Sequence, residues 1–151
     1  MTRALRRLGV VLALGIGLCP LLAGWAGDGK KPRLDQVTGK VMPRADLPAK
    51  VRLDADADMV LLTDDGTAYA LFKDAGARMF AKDRRLLNRP MRLSGKLLKG
   101  NVIQVINVHS LKKGRLHDVY YWCDICTIKG FENGICECCG APMDLREVPL
   151  P

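Results

Sequence analysis

The chain has 151 residues, a formal net charge of +8 and aromatic side chains at 5% of its positions. This length allows one compact domain with a small appendage. The low aromatic content argues against single-stranded nucleic-acid binding, because such binding uses stacked aromatic side chains. The moderate positive charge is typical of a solvated surface and would also favour acidic partners.

The N-terminal segment has the three parts of an export signal. Three arginines lie within the first seven residues, and an apolar run from Leu8 to Leu22 follows them. Gly24 and Ala26 then place small residues before a cleavage site at Gly27. We therefore expect residues 1–26 to be a signal peptide and the mature protein to be periplasmic or secreted.

Two other interpretations of this segment stay open. The stretch 8–26 is 19 residues long, just within the ~17–25 that span a bilayer, so it also fits an uncleaved membrane anchor. Cys19 is a candidate for lipidation, although Leu18 before it is larger than the residue that lipoprotein signals prefer. Residues 27–33 are polar and glycine-rich, which predicts a linker. Cleavage after residue 26 would leave 21 basic and 16 acidic side chains, a net charge of +5.

Residues 34–113 are predicted to form short β-strands around one helix. An Asp65-Gly66 turn between two apolar runs favours a hairpin, because that turn needs positive φ. Asp74 is the expected N-cap of a helix over Ala75–Leu87. The predicted strands are Gln36–Met42, Lys50–Leu53, Asp58–Thr63, Thr67–Phe72, Pro90–Leu98 and Val102–Val108.

Three stretches of this segment resemble the OB-fold, particularly its small exported bacterial versions. They are Val37–Val41, the Thr63–Gly66 hairpin, and Leu93–Leu97 with the turn and β-branched strand after it. Gly39 and Gly95 fall inside predicted strands, where a small barrel must bend or bulge. The expected fold class is therefore mainly β: a small OB-like Greek-key barrel with one short helix over residues 34–113, followed by a C-terminal zinc-ribbon-like module. An SH3-like barrel or a small sandwich is the alternative.

The OB-fold resemblance implies that one face of the barrel binds a ligand, often an oligonucleotide or oligosaccharide. The barrel segment contains only three aromatic side chains, and we assign Tyr69, Phe72 and Phe80 to its core. We therefore expect a scaffold or a protein-binding barrel, with protein partners and no nucleic acid. Membrane contact is expected only through the N-terminal segment, if it is not cleaved.

The C-terminal residues contain two Cys-x-x-Cys pairs separated by nine residues. Two such pairs are typical of a tetrahedral zinc site, because zinc takes four thiolates at about 2.3 Å and each short turn supplies two. Gly140 follows the second pair directly, and the sharp turns of such sites use the positive φ that glycine adopts. Zinc is the expected metal, and the predicted ligands are Cys123, Cys126, Cys136 and Cys139.

Cys138 lies inside the second pair and is predicted to be a free thiol or an alternate ligand. Disulfides are the common fate of exported cysteines. The odd number of cysteines after residue 26 and the adjacent Cys138-Cys139 pair favour a metal site over a disulfide-clipped knot. His109 and His117 are expected to be surface or hydrogen-bonding residues rather than ligands.

Residues 121–145 resemble the short heavy-metal-binding domain of bacterial metal-efflux proteins. The resemblance rests on Tyr121-Trp122-Cys123, the second pair with Gly140, and Met143. That family has histidine where this chain has Cys126, and its methionine follows the second pair more closely. The resemblance implies the handling of zinc or copper, whereas four cysteines favour a closed zinc-ribbon site.

These observations predict an exported, non-catalytic metal-binding protein. A structural zinc module with four cysteine ligands, over residues 116–148, would be attached to a binding or assembly barrel. The sequence contains no arguable serine–histidine–acid set and no phosphate-binding glycine loop, so no catalytic residue and no organic cofactor is predicted. The main alternative is a cell-envelope protein that handles or delivers zinc or copper. Electron transfer by a rubredoxin-like iron site and thiol–disulfide chemistry are further alternatives.

Overall fold

The computed structural model describes residues 34–151, so the predicted signal peptide, anchor, lipidation site and linker lie outside the described residues. Within this range no helix has the length and apolar character needed to cross a membrane. The described part contains one α-helix and nine strands. They are β1 (Asp35–Pro43), β2 (Met59–Leu62), β3 (Ala68–Leu71), α1 (Ala75–Lys82), β4 (Pro90–Leu98), β5 (Val102–Lys112), β6 (Arg115–Cys123), β7 (Ile128–Gly130), β8 (Gly134–Ile135) and β9 (Pro142–Pro149).

The first five strands close into a ring. Strand β1 pairs with both β2 and β4, and β2 pairs with β3, all antiparallel. Strand β4 pairs antiparallel with β5, and β5 pairs in parallel with β3 through Val102 and Ile103. The chain is therefore mainly β, as predicted, with a sheet that returns to its first strands and gives each of these five strands two neighbours.

The hydrophobic core lies inside this ring and extends beneath α1. Alternate residues of the strands point inward, among them Val41, Leu61 and Leu93, each fully buried. Helix α1 adds Met79 and Phe80 to the same core. Full burial of one such side chain stabilises the fold by about 1.5–3 kcal/mol.

Two glycines allow the strands of the ring to approach closely. Strand β1 changes partner from β4 to β2 near Gly39, where an added Cβ would lie 2.3 Å from the carbonyl oxygen of Leu62. The β4–β5 register shifts between Ser94 and Gly95, and a Cβ at Gly95 would lie 2.0 Å from the Gln104 oxygen. The predicted bulge at Gly95 is thus confirmed, and glycine is required there by backbone contact.

The hairpin and helix predictions are confirmed with one change of length. Gly66 has a φ of 85° in the β2–β3 turn, and the Asp74 carboxylate accepts hydrogen bonds from two amides of the first turn of α1. The helix ends at Lys82, earlier than predicted, because Asp83 has an extended backbone and caps a separate 3-10 turn at Arg84–Leu86.

Two predictions in the ring are wrong. Residues 50–53 form no strand, because the Arg44 guanidinium binds the carbonyl oxygens of Leu53 and Ala55 and holds this stretch as a loop. Phe72 is 44% exposed, so it is not a core residue. It follows the buried Leu71 at the end of β3, and strand alternation turns it outward.

The sheet continues past the ring into the cysteine-containing residues. Strand β6 pairs with the end of β5 and then with β7 on one side, and with β9 on the other. Strand β9 also pairs with the short β8. The two hairpins β6–β7 and β8–β9 bring the two cysteine pairs together.

Candidate metal centre

The first cysteine turn begins where β6 ends. Cys123 is the last residue of β6 and is fully buried. The amide of Thr127 donates to the carbonyl oxygen of Cys123 at 2.8 Å, and the amide of Cys126 points at the Cys123 Sγ at 3.5 Å. Thr127 has a φ of 54°. This compact turn places the Cys123 and Cys126 thiols on the same side.

The second cysteine turn repeats the geometry of the first. The amide of Gly140 donates to the carbonyl oxygen of Cys136 at 2.8 Å, and Gly140 has a φ of 73°. Backbone amides of Cys139 and then Cys138 stabilise the Cys136 thiolate and lower its pKa to about 7. A turn that favours the thiolate is suited to a metal ligand, because the thiolate is the form that binds metal.

The two turns bring together the four cysteines predicted as ligands. The Sγ atoms of Cys123, Cys126, Cys136 and Cys139 all lie within 4.8 Å of one another. The Sγ atoms of Cys123 and Cys139 are 3.4 Å apart. A tetrahedron with zinc–sulfur bonds of about 2.3 Å has sulfur atoms about 3.8 Å apart. The four thiols therefore fit one tetrahedral metal ion, and the arrangement is compatible with a zinc-ribbon-like site.

The four thiols differ in their exposure to solvent. The first cysteine of each pair is buried, with Cys123 at 0% and Cys136 at 1% exposure. The second cysteine of each pair is nearer the surface: Cys126 is half-buried and Cys139 is exposed. One side of the site therefore faces the protein and the other side faces solvent.

Cys138 lies outside the group of four but close to it. Its side chain is exposed. The thiols of Cys138 and then Cys139, together with burial, raise the pKa of the Cys126 thiol. The fifth cysteine is therefore an exposed thiol next in the chain to Cys139.

The first turn is braced by side chains of the sheet. Trp122 Nε1 donates to Asp124 Oδ1 at 3.0 Å, and Arg146 on β9 forms an ion pair with the same carboxylate. The Arg146 guanidinium also lies 5.6 Å from the centre of the Trp122 ring. Asp124 thus joins the turn to β6 and β9.

A buried hydrogen bond joins β6 to the ring. The Tyr121 hydroxyl donates to the Asp83 carboxylate at 2.6 Å, and both side chains are buried. Arg85 binds the same carboxylate through two nitrogen atoms. This ion pair lowers the Asp83 pKa to about 2, while burial and the Asp83 charge raise the Tyr121 pKa.

Two glutamates attach the cysteine hairpins to the ring. Glu132, between the two turns, binds Arg78 Nε at 2.7 Å and Lys82, both on α1. Glu147 on β9 binds Lys112 at 2.9 Å, Arg89 at 3.0 Å and the hydroxyl of Ser110. The sequence showed none of these contacts, because each joins residues at least 35 positions apart.

The two histidines lie outside the cysteine group. His109 on β5 faces Asp118 across the β5–β6 pair, and burial lowers its pKa. His117 on β6 contacts the carbonyl oxygen of Arg115 at 3.2 Å. Neither histidine belongs to the group of side chains that could hold a metal ion within residues 34–151.

The site brings four cysteine side chains within reach of one metal ion. An ion held by all four would have a shell filled by protein ligands, with no open position for water or substrate. Comparison with known proteins found no matching protein-family model, no matching curated protein and no matching solved structure.

Proposed function

We propose that this chain is an exported, non-catalytic zinc protein, in which a four-cysteine site holds a C-terminal module on an OB-like binding barrel. The observation that carries this proposal is the meeting of four Sγ atoms within 4.8 Å, supplied by two turns of the same geometry. Four soft thiolates in a tetrahedral arrangement favour zinc, with copper or iron as the alternatives.

A structural role for the metal is supported by the small amount of side-chain burial in the cysteine hairpins. Most side chains between residues 124 and 142 are exposed or half-buried, so burial contributes little there. Metal binding supplies folding free energy to segments of this kind. We therefore infer that the metal orders the two turns, while Glu132 and Glu147 set their position on the ring.

The OB-like interpretation is supported by the order of the ring strands. A five-stranded Greek-key arrangement, with the single helix between β3 and β4, is the pattern expected for that fold. A protein partner is supported by two exposed isoleucines at the cysteine turns, Ile125 and Ile135. Export rests on the N-terminal sequence of basic residues, apolar run and small residues.

Metal analysis of the protein purified from an exporting host tests this function. Elemental analysis is expected to give about one zinc per chain, with the thiol of Cys138 reactive in the native state. The intact mass is expected to be that of a chain which starts at Gly27. A chain without metal, with four of its thiols oxidised, would overturn the zinc site and indicate a disulfide-stapled module. A mass that retains residues 1–26 would overturn cleavage.

Handling of zinc or copper in the cell envelope is the second candidate function. It is favoured by the exposed Cys139 and by the neighbouring Cys138 thiol. A handling protein should bind Cu(I), which soft sulfur ligands select, and should exchange metal quickly with a competing chelator. Exchange that is slow on the timescale of hours would leave only the structural role.

A further inference from the structure

A polar cavity lies on strands β1, β4 and β5 of the ring. Its volume is about 590 Å³, within the ~300–1,000 Å³ that is common for small-ligand sites. Its described lining consists of one apolar and five polar side chains: Leu34, Asp35, Gln36, Ser94, Asn107 and His109. None of these residues belongs to the group of four cysteines. The cavity is therefore a second concave feature of the molecule, with a hydrogen-bonding lining.

The register of the sheet brings these polar side chains side by side. Ser94 on β4 pairs with Gln36 on β1 and with Asn107 on β5. Neighbouring strands are about 4.8 Å apart, so these three side chains form one short row across the sheet. Leu93, next to Ser94, belongs to the core, so the row lies on the opposite, outer face. His109 follows Asn107 by two positions and lies on that face as well.

Two polar atoms of the cavity lining are buried without a hydrogen-bond partner among residues 34–151. They are Ser94 Oγ and His109 Nδ1. Ser94 is only 3% exposed, although it lies on the outer face of the sheet. Buried polar groups are nearly always hydrogen-bonded. Ser110 follows that rule, because its hydroxyl, in a side chain 1% exposed, donates to Glu147. The unpaired atoms of the cavity are therefore groups that a ligand entering it can satisfy.

The chemistry of the lining favours a neutral ligand with hydroxyl groups. A hydroxyl, an imidazole and two amides offer both donors and acceptors, as sugar hydroxyls do. Burial lowers the pKa of His109, so its ring is uncharged at neutral pH. Asp35 is the one charged side chain in the described lining, and its carboxylate repels anions. The cation nearest in register, Arg92 opposite His109, donates its Nε–H to the hydroxyl of Thr38.

We propose that this cavity binds a small neutral ligand rich in hydroxyl groups, such as a monosaccharide. The Ser94 hydroxyl and the His109 ring pair with hydroxyl groups of the ligand. The amides of Gln36 and Asn107 bind neighbouring hydroxyl groups, and the Asp35 carboxylate accepts a hydrogen bond from another. This site goes beyond the proposed metal function and does not depend on it. Strands β2 and β3, the strand positions that carry the ligand face of OB-folds, contribute no residue to its described lining.

A titration followed by amide NMR spectra tests the site. The protein purified from an exporting host would be titrated separately with glucose, galactose and mannose, and with acetate as a small anion. We expect saturable shifts in the millimolar range with at least one of the three sugars, centred on the amides of Gln36, Ser94, Asn107 and His109. The absence of saturable shifts with all three sugars would overturn the proposal. Saturable shifts at these amides with acetate alone would overturn it as well.

The two buried serines provide a matched pair of variants. Ser94→Ala removes a hydroxyl that has no partner in the protein, so it should weaken sugar binding about 3- to 10-fold without lowering the urea midpoint of unfolding. Ser110→Ala removes a hydroxyl that Glu147 uses, so it should lower the urea midpoint and leave the sugar affinity unchanged. An unchanged sugar affinity in Ser94→Ala, or equal losses of affinity in the two variants, would overturn the assigned role of Ser94.

A ring substitution and the metal content complete the test. His109→Phe keeps a planar ring and removes both nitrogen atoms, so it should also weaken sugar binding by about 3- to 10-fold, and an unchanged affinity would count against the site. Zinc would be measured in every sample. A zinc-loaded chain that binds no sugar would overturn the cavity proposal and leave the metal function standing. A chain that binds sugar without holding metal would support the cavity while the metal function fails.

Discussion

Thr127 and Gly140 occupy equivalent positions, directly after the second cysteine of each turn. Both have positive φ, 54° for Thr127 and 73° for Gly140, and both donate the amide that closes the turn. Glycine adopts this conformation without strain, whereas a β-branched residue does so at a cost of about 1–2 kcal/mol. Thr127 recovers part of that cost through a hydrogen bond from its hydroxyl to the carbonyl oxygen of Cys126.

We expect substitutions at these two positions to change the free energy of unfolding in opposite directions. Gly140→Ala should lower the free energy of unfolding of the metal-loaded protein by about 1 kcal/mol, from backbone strain alone, because nothing lies within 4 Å of the added Cβ. Thr127→Gly should change it by less than about 1 kcal/mol in the stabilising direction, because relief of strain is offset by unfolded-chain entropy. Urea unfolding measures both. Destabilisation by Thr127→Gly that exceeds that of Gly140→Ala would contradict this account.

Asp83 makes stability depend on acid pH. Its folded-state pKa of about 2 lies below the ordinary 3.8, so its contribution is complete above pH ~4 and is lost as the pH falls through about 2. The shift corresponds to about 2 kcal/mol. We expect Asp83→Asn to lower the free energy of unfolding by about that amount at pH 7, with the difference from the unchanged chain shrinking below pH ~4.

Urea unfolding of both proteins across this pH range tests the Asp83 prediction. Comparing the two proteins at each pH removes the effect of acid on the metal site, which they share. Asp64→Asn at an exposed turn is the control and should change little. A difference that stays constant down to pH ~2 would show that the Asp83 charge is not its cause.

The ring closes because β1 and β5 each pair with different partner strands along different parts of their length. Strand β1 pairs with β4 over its first half and with β2 over its second, and one edge of β5 pairs with β3 at Val102 and Ile103 and with β6 at its end. Such changes of partner need local bending, which Gly39 and Gly95 allow. The sequence shows that glycine occupies these two positions. It does not show the reason, because the carbonyl groups that exclude a side chain belong to other strands.

The bulge at Gly95 should therefore be intolerant of any side chain. We expect Gly95→Ala to lower the free energy of unfolding by about 3 kcal/mol, because its Cβ would lie 2.0 Å from a backbone oxygen that cannot move without breaking the ladder. Gly100→Ala is the matched control. It sits at a φ of 77° with nothing within 4 Å, and should cost only about 1 kcal/mol. Equal losses in the two variants, measured by chemical denaturation, would contradict a steric cause at Gly95.

At the scale of the whole molecule, the cysteine hairpins depend on both the metal and the ring. Strand β6 is part of the ring core through Val119 and Tyr121, so it does not need the metal to be held. The turns and the short strands β7 and β8 are mostly exposed. They are joined to α1 mainly through Glu132, whose surface ion pairs contribute little by themselves.

Removal of the metal should loosen one part of the molecule more than the rest. With zinc at a thousand times its dissociation constant, we expect the free energy of unfolding to be about 4 kcal/mol higher than in the chelated protein. Hydrogen exchange should show amides of residues 124–142 losing protection on chelation, while those of β1 to β5 keep it. Uniform loss of protection would mean that the metal supports the whole fold. No loss would mean that the site is not structural.

The sequence by itself determined the features that depend on neighbouring residues. These are the Asp65-Gly66 hairpin, the Asp74 helix cap, and the two cysteine turns with a positive φ after the second pair. Each is decided by the conformational preference or hydrogen bonding of a few adjacent groups. The four ligand candidates could be named because short turns limit where their thiols can point. The loop at Lys50–Leu53 was mistaken for a strand because the Arg44 guanidinium binds the carbonyl oxygens of Leu53 and Ala55, 9 and 11 residues away.

Only the tertiary structure decided which distant groups meet. Strand β9, the buried Asp83–Tyr121 hydrogen bond and the two glutamates that hold the cysteine hairpins all join residues far apart in the chain. These groups meet because the ring closes and buries them. A local sequence pattern contains no information about either event. The solvent-facing side of the site was decided in the same way, because packing against the ring buries Cys123 and Cys136 and leaves the other thiols nearer the surface.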